Sequence, residues 1–132
     1  MLVMLKIENL HVYYDGIHAL KGINLEVPEG KIITLIGANG AGKTTTLRTI
    51  SGLIDKKEGQ IIYNGIDISS LNTRERVMEG LVLVPEGRRI FPNLSVYENL
   101  QLGYFMRQDH GAIKLDLDWV YELFPVLEER KN

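Results

Sequence analysis

The sequence of 132 residues contains no cysteine. That excludes disulfides and thiolate metal sites, and it fits a reducing compartment. A basic excess is also missing. Fifteen Lys and Arg stand against seventeen Asp and Glu, for a formal net charge of −2, whereas a nucleic-acid-binding domain carries a clustered positive surplus. Long apolar runs are absent too. The N-terminal MLVMLKI has five apolar residues before Lys6, too few for the core of a signal peptide. No stretch approaches the roughly 20 apolar residues that cross a bilayer. These absences predict a soluble, cytoplasmic chain that binds no nucleic acid; if it works at a membrane, another protein must take it there.

What is present fits one domain in length. LKIENLHVYY alternates as a strand and ends in the turn signal Asp15-Gly16. Ile23 to Val27 alternates again, and Pro28-Glu29-Gly30 turns the chain into KIITLIG. That near-continuous β-branched run predicts a strand buried on both faces. A helix follows, ending near Gly52, with Leu47, Ile50 and Leu53 as its apolar positions. QIIYNG reads as a short strand with an Asn64-Gly65 turn. Asn72 or Thr73 caps a short helix that stops at Gly80, and LVLVP predicts a second fully buried strand. Ser95 and Glu98 have capping-box spacing ahead of a helix over VYENLQLG. Residues 107–111 read as a polar loop. Leu115, Trp119, Val120, Leu123 and Phe124 mark one face of a further helix, which Pro125 ends or kinks. The layout is an α/β domain with an antiparallel preface. Two parallel-type strands do not make a covered parallel sheet, so an incomplete domain is expected.

The strongest chemical signal is Gly37-Ala38-Asn39-Gly40-Ala41-Gly42-Lys43-Thr44, a full match to G-x-x-x-x-G-K-[ST] between a predicted strand and a predicted helix. Glycines let successive backbone N–H groups turn inward around a phosphate. The helix beginning near Lys43 adds the positive end of its dipole. Lys43 supplies a mobile charge for the outer phosphates, and the Thr44 hydroxyl is a hard ligand for Mg²⁺. The plainer reading is a glycine-rich turn with a surface lysine, which the strand-before, helix-after context disfavours.

On these residues the chain resembles the ATP-binding subunits of ABC transporters over essentially its whole length. Within that family it is most similar to the branched-chain amino acid importer subunits, through TLIGANGAGKTTTLRTISGL, VPEGRRIFPNLSVYENLQLG and WVYELFPVLEERK. The resemblance implies a P-loop NTPase fold of ABC type, with an antiparallel β subdomain and phosphate-loop core over residues 1–92 and the beginning of a helical subdomain over 93–132. It implies ATP and Mg²⁺ as ligands. Tyr14 would stack on adenine, with Ala19 as a weaker contact. Gly37, Ala38, Asn39, Gly40, Ala41, Gly42, Lys43, Thr44 and Thr45 would hold the phosphates. The implied partners are a second ATP-binding subunit, identical or not, transmembrane permease subunits and, indirectly, a solute-binding protein, on the inner face of the cell membrane.

By the same resemblance, residues Arg88 to Leu94 belong to the surface that couples to the membrane subunits, although Arg88-Arg89 also reads as a solvated charge pair. Glu86 stands where the wider family carries a glutamine that touches the metal or the attacking water. Lys43 and Glu86 are thus the catalytic candidates, with Thr44 and Glu86 toward Mg²⁺, unless Glu86 is only a turn residue. The family's signature loop, the strand ending in its magnesium-binding Asp and catalytic Glu, and its switch His have no match within these 132 residues, so little ATP turnover is expected of this chain. His11, His18 and His110 read as surface residues. Other readings are a urea or other small-solute importer subunit, a soluble ABC ATPase, or a P-loop kinase or GTPase.

Overall fold

The computed structural model describes residues 2–87 and 89–132. The chain forms two compact units, Met1–Val84 and Pro85–Asn132. In the first, β1 (Val3–Tyr14) pairs antiparallel with β2 (Ile17–Pro28) on one edge and with β3 (Glu58–Tyr63) on the other. A short β4 (Ile66–Asp67) completes a four-stranded antiparallel sheet of order β2-β1-β3-β4. The two tight turns are those the sequence predicts. Asp15-Gly16 and Asn64-Gly65 both have positive φ at each central residue, the requirement of hairpin turns whose twist matches that of the strands.

The core explains an oddity of β1. Its buried residues are Leu5 and Ile7, then Leu10 and Val12, so the parity changes midway. The register with β2 and β3 shifts across residues 7–11, and Asn9 has φ 48°. This bulge re-phases the alternation and returns both halves of the strand to one buried side. Leu20, Ile50, Ile61 and Ile68 join them in one cluster.

Helix α1 (Lys43–Ile50) packs its Thr46, Thr49 and Ile50 side chains into the interior. The two hydroxyls are buried without loss because each donates to a carbonyl four residues back, Thr46 to Gly42 and Thr49 to Thr45, both at 2.8 Å. The face expected from the apolar pattern is therefore corrected: Leu47 and Leu53 are exposed. Helix α2 (Thr73–Met78) starts in a capping box of Asn72 and Glu75, and Gly80 follows with φ 93°.

In the second unit, α3 (Val96–Gly103) has the Ser95–Glu98 capping box that the spacing predicts. Helix α4 (His110–Leu123) gives way at Phe124 to α5 (Pro125–Glu129), whose proline occupies the first turn. The predicted polar loop over 107–111 is shorter than expected. Arg107 bonds Asp109 and Asp116, each at 2.6 Å, and draws the chain into the helix from His110 onward. Ile113 is buried in α4, while Leu115, Trp119, Leu123 and Phe124 are exposed.

The largest departure concerns KIITLIG and LVLVP. Neither belongs to a ladder, and Ile32, Ile36, Val82 and Val84 are among the most exposed apolar side chains. A strand buried on both faces needs hydrogen-bonded neighbours and covering layers, and the described residues supply neither to these two runs. The fold is accordingly α/β in composition, with an incomplete sheet.

Candidate phosphate loop

The loop between residue 37 and α1 is shaped by its glycines and its lysine. Gly40 and Gly42 lie at φ 83° and 90°, a region that L side chains rarely adopt. Gly42 is constrained twice over. A methyl there would lie 2.6 Å from Leu20 Cδ2 and 3.5 Å from the Ala19 carbonyl oxygen. A side chain there would have to displace the buried Leu20 of β2, which also sets Ala19 beside the loop. The Ala41 N–H donates to the Ala38 carbonyl at 3.1 Å, closing the turn. Lys43 folds back over it, its Nζ donating to the Gly37 carbonyl and, at 2.8 Å, to that of Ala38.

Electrostatically, this end of α1 differs from the starts of α2 and α3. Those two satisfy their first N–H groups with capping boxes. Helix α1 has no side-chain cap and no acidic residue in its first turn. Its leading amides, which no helix can satisfy internally, share the loop with an ammonium group. A cation, uncapped amides and the positive end of a helix dipole make a donor set that fits an anion with several oxygens. Thr44 is exposed at the start of the helix and Thr45 is half-buried; a threonine hydroxyl there is a hard oxygen donor of the kind Mg²⁺ takes.

Tyr13 and Tyr14, alike in the sequence, separate in the structure. Tyr13 stacks on His18 with ring centroids 4.2 Å apart and an interplanar angle of 7°. His18 in turn bonds His11, Nε2 to Nδ1, at 2.9 Å. These two histidines are half-buried at the surface of the sheet and joined to each other. His110 is exposed, at the first position of α4. Tyr14 ends β1 opposite Ile17 with its ring exposed.

Glu86 opens the second unit in an exposed bend, where Arg89 Nε donates to its backbone carbonyl at 3.3 Å. Arg88 lies outside the described residues. The stretch that follows is held by a residue the motifs did not single out. Asn99 of α3 accepts from the Phe91 N–H at 2.9 Å and donates to the carbonyls of Phe91 at 3.0 Å and Ser95 at 2.9 Å. An asparagine is a weak helix former that bonds local backbone readily. That was the only signal for it in the sequence.

Comparison with known proteins agrees with this geometry. The family model described as ABC transporter matches residues 20–131. The high-affinity branched-chain amino acid transport ATP-binding protein BraG of Pseudomonas aeruginosa is 42% identical over 127 residues, covering 96% of this chain and 54% of BraG. The sulfate/thiosulfate import ATP-binding protein CysA of Neisseria meningitidis is 39% identical over 122 residues, covering 89% of this chain and 33% of CysA. A solved ATP-binding subunit of an ABC transporter superposes with a TM-score of 0.81 at 27% identity, over 97% of this chain and 52% of that one. The chain thus spans about half the length of BraG and a third of CysA. No helix among the described residues is long and apolar enough to cross a membrane. With its phosphate-loop sequence, antiparallel preface and match over residues 20–131, the chain belongs to the ABC transporter ATP-binding family, of which it carries a partial domain.

Proposed function

We propose that this chain is the nucleotide-binding portion of an ABC importer subunit that binds ATP with Mg²⁺ and, as a whole protein, hydrolyses it to drive import of branched-chain amino acids. The observation that carries the nucleotide reading is the uncapped, acid-free start of α1 under the folded Lys43 ammonium. The backbone of residues 37–42 and the amides of Lys43, Thr44 and Thr45 cradle the phosphates, and Lys43 meets the outermost charge. Ala19 and Tyr14, on the hairpin that packs against Gly42, contact the base. Thr44 provides an oxygen ligand for the metal; the assignment of Glu86 to the same ion rests on the family resemblance alone. Bound Mg²⁺ would neutralise charge on the outer phosphates.

The substrate assignment rests on BraG and on the PEGRRIFP stretch. CysA, with a different solute, is nearly as similar, and a small-solute importer is the second reading. In either case the chain pairs with a second ATP-binding subunit and with permease subunits on the inner face of the membrane, and residues 88–94 contribute to the coupling surface. Replacing Lys43→Ala is expected to abolish MgATP binding measured by calorimetry, because it removes the one cationic side chain within residues 37–44. Unchanged affinity would overturn the nucleotide reading. Co-purification with permease subunits for sulfate rather than for branched-chain amino acids would overturn the substrate.

A further inference from the structure

Arg76 is the one charged side chain among the buried residues described, at 4% exposure, and no carboxylate is hydrogen-bonded to it. Its partners are all backbone carbonyls. Nη1 donates to Thr49 at 2.8 Å and Ile50 at 2.7 Å; Nε donates to Leu71 at 2.8 Å and Nη2 to Ser69 at 3.2 Å. Thr49 and Ile50 are the last two residues of α1, whose final carbonyls have no partner within the helix. A buried cation without an ion pair is ordinarily costly. Here the negative end of the α1 dipole and four carbonyls surround it, and the charge of the nearby Asp55 carboxylate adds to them without a hydrogen bond. The planar fork of guanidinium N–H groups suits a task that one ammonium cannot perform, bridging two backbone segments at once.

We propose that Arg76 is a positioning residue for the phosphate loop. Its guanidinium clamps the C-terminal end of α1 to the connection between β4 and α2, and so sets the direction of the helix whose other end carries Lys43 and the loop amides. This rests on the nucleotide reading above. Helix α1 has eight residues, a length of about 12 Å, and helices that short do not hold themselves rigid in water. Its axis is set by packing at Thr46, Thr49 and Ile50 and by the clamp. A tilt of roughly 5° at the clamped end displaces the loop end by about 1 Å at that length, enough to spoil several directional contacts to one phosphate. A cavity of about 170 Å³, bordered by Arg76, Asp55, Ser69 and Asn72 among others, adjoins the guanidinium and gives a small ion a way to its position.

The test compares Arg76→Ala and Arg76→Lys with the unaltered chain. Affinities for MgATP and for inorganic triphosphate are measured by calorimetry, well below each variant's melting temperature. Arg76→Ala is expected to weaken both ligands by the same factor, roughly tenfold. The ratio of the two affinities stays constant, because Tyr14 and Ala19 are untouched. Millimolar guanidinium, which fits the vacated position, is expected to restore triphosphate binding in Arg76→Ala. Arg76→Lys is expected to fall between. Should Arg76→Ala fail to fold, Arg76→Lys carries the comparison. A folded variant that melts lower yet binds triphosphate as the unaltered chain does overturns the proposal and leaves Arg76 a stabilising residue only. Failure of the unaltered chain to bind MgATP overturns the nucleotide reading instead, and this proposal with it.

Discussion

Tyr14 shows how a single position divides between what a sequence displays and what packing assigns. In YYDGIHAL two tyrosines stand side by side, and the family resemblance points to Tyr14 as the adenine-stacking ring. In the structure both rings are exposed, and Tyr13 differs in being stacked on His18, whereas Tyr14 stands at the end of β1. Tyr14→Ala is expected to weaken ATP by about 1–3 kcal/mol, the usual range for base stacking, and to leave inorganic triphosphate unaffected. Equal losses for the two ligands in calorimetry would show that no stacking occurs. Glu86 is a second residue with a graded expectation. An ionised carboxylate accepts hydrogen bonds and attracts a cation, whereas glutamine keeps the shape and loses the charge. Glu86→Gln is expected to leave nucleotide affinity within a few-fold and to raise the Mg²⁺ concentration needed for half-maximal binding. An unchanged Mg²⁺ titration would make Glu86 a turn residue. The loop glycines and Lys43 were legible because their chemistry is local to eight consecutive residues. Arg76 and Asn99 were not, because nothing in TRERVM or VYENLQLG distinguishes a guanidinium or an amide facing solvent from one bonded to remote carbonyls.

Among the elements, those with local punctuation were read correctly from the sequence. The Asp15-Gly16 and Asn64-Gly65 turns and the starts of α2 and α3 depend on residues within four positions of one another, so the sequence carries the whole interaction. Ser95→Ala removes the hydroxyl that accepts from the Glu98 N–H at 3.2 Å, and is expected to cost about 1 kcal/mol, read as a lower melting temperature. The reciprocal bond, from the Ser95 N–H to the Glu98 carboxylate at 2.7 Å, holds the Glu98 pKa below its ordinary value of 4.5. The carboxylate is thus favoured in the folded state. Its contribution is present above pH 4.5 and is lost as pH falls through the lowered folded value. The Ser95 hydroxyl adds a smaller part of the same lowering, so in an acid titration Ser95→Ala is expected to lose that part of the pH-dependent stability while the backbone bond keeps the rest, and an identical pH profile would sink this account. Helix α1 was placed well but its buried face was not. Two threonines bury themselves by bonding backward to the helix, an option that apolar periodicity does not count.

For the whole molecule, the expectation is about turnover. The sequence holds the phosphate loop but no Asp-Glu dipeptide, and we propose that these 132 residues bind ATP with little hydrolysis. Phosphate release with sustained multiple turnovers would show that a group within these residues, Glu86 foremost, activates water. Where the structure departs from the sequence reading, the cause is non-local. KIITLIG and LVLVP have the composition of central strands, and composition reports only what such a segment needs around it. Sequence alone determined the phosphate loop, the hairpin turns and the helix caps, because each is an interaction between neighbours along the chain. Tertiary structure alone decided that Tyr13 stacks on His18, that Leu20 of β2 crowds position 42, that β1 re-phases at its bulge, and that Arg76 grips the far end of the loop's helix. Each of those depends on atoms brought together from distant parts of the chain, where distance and burial, rather than residue type, set the energy.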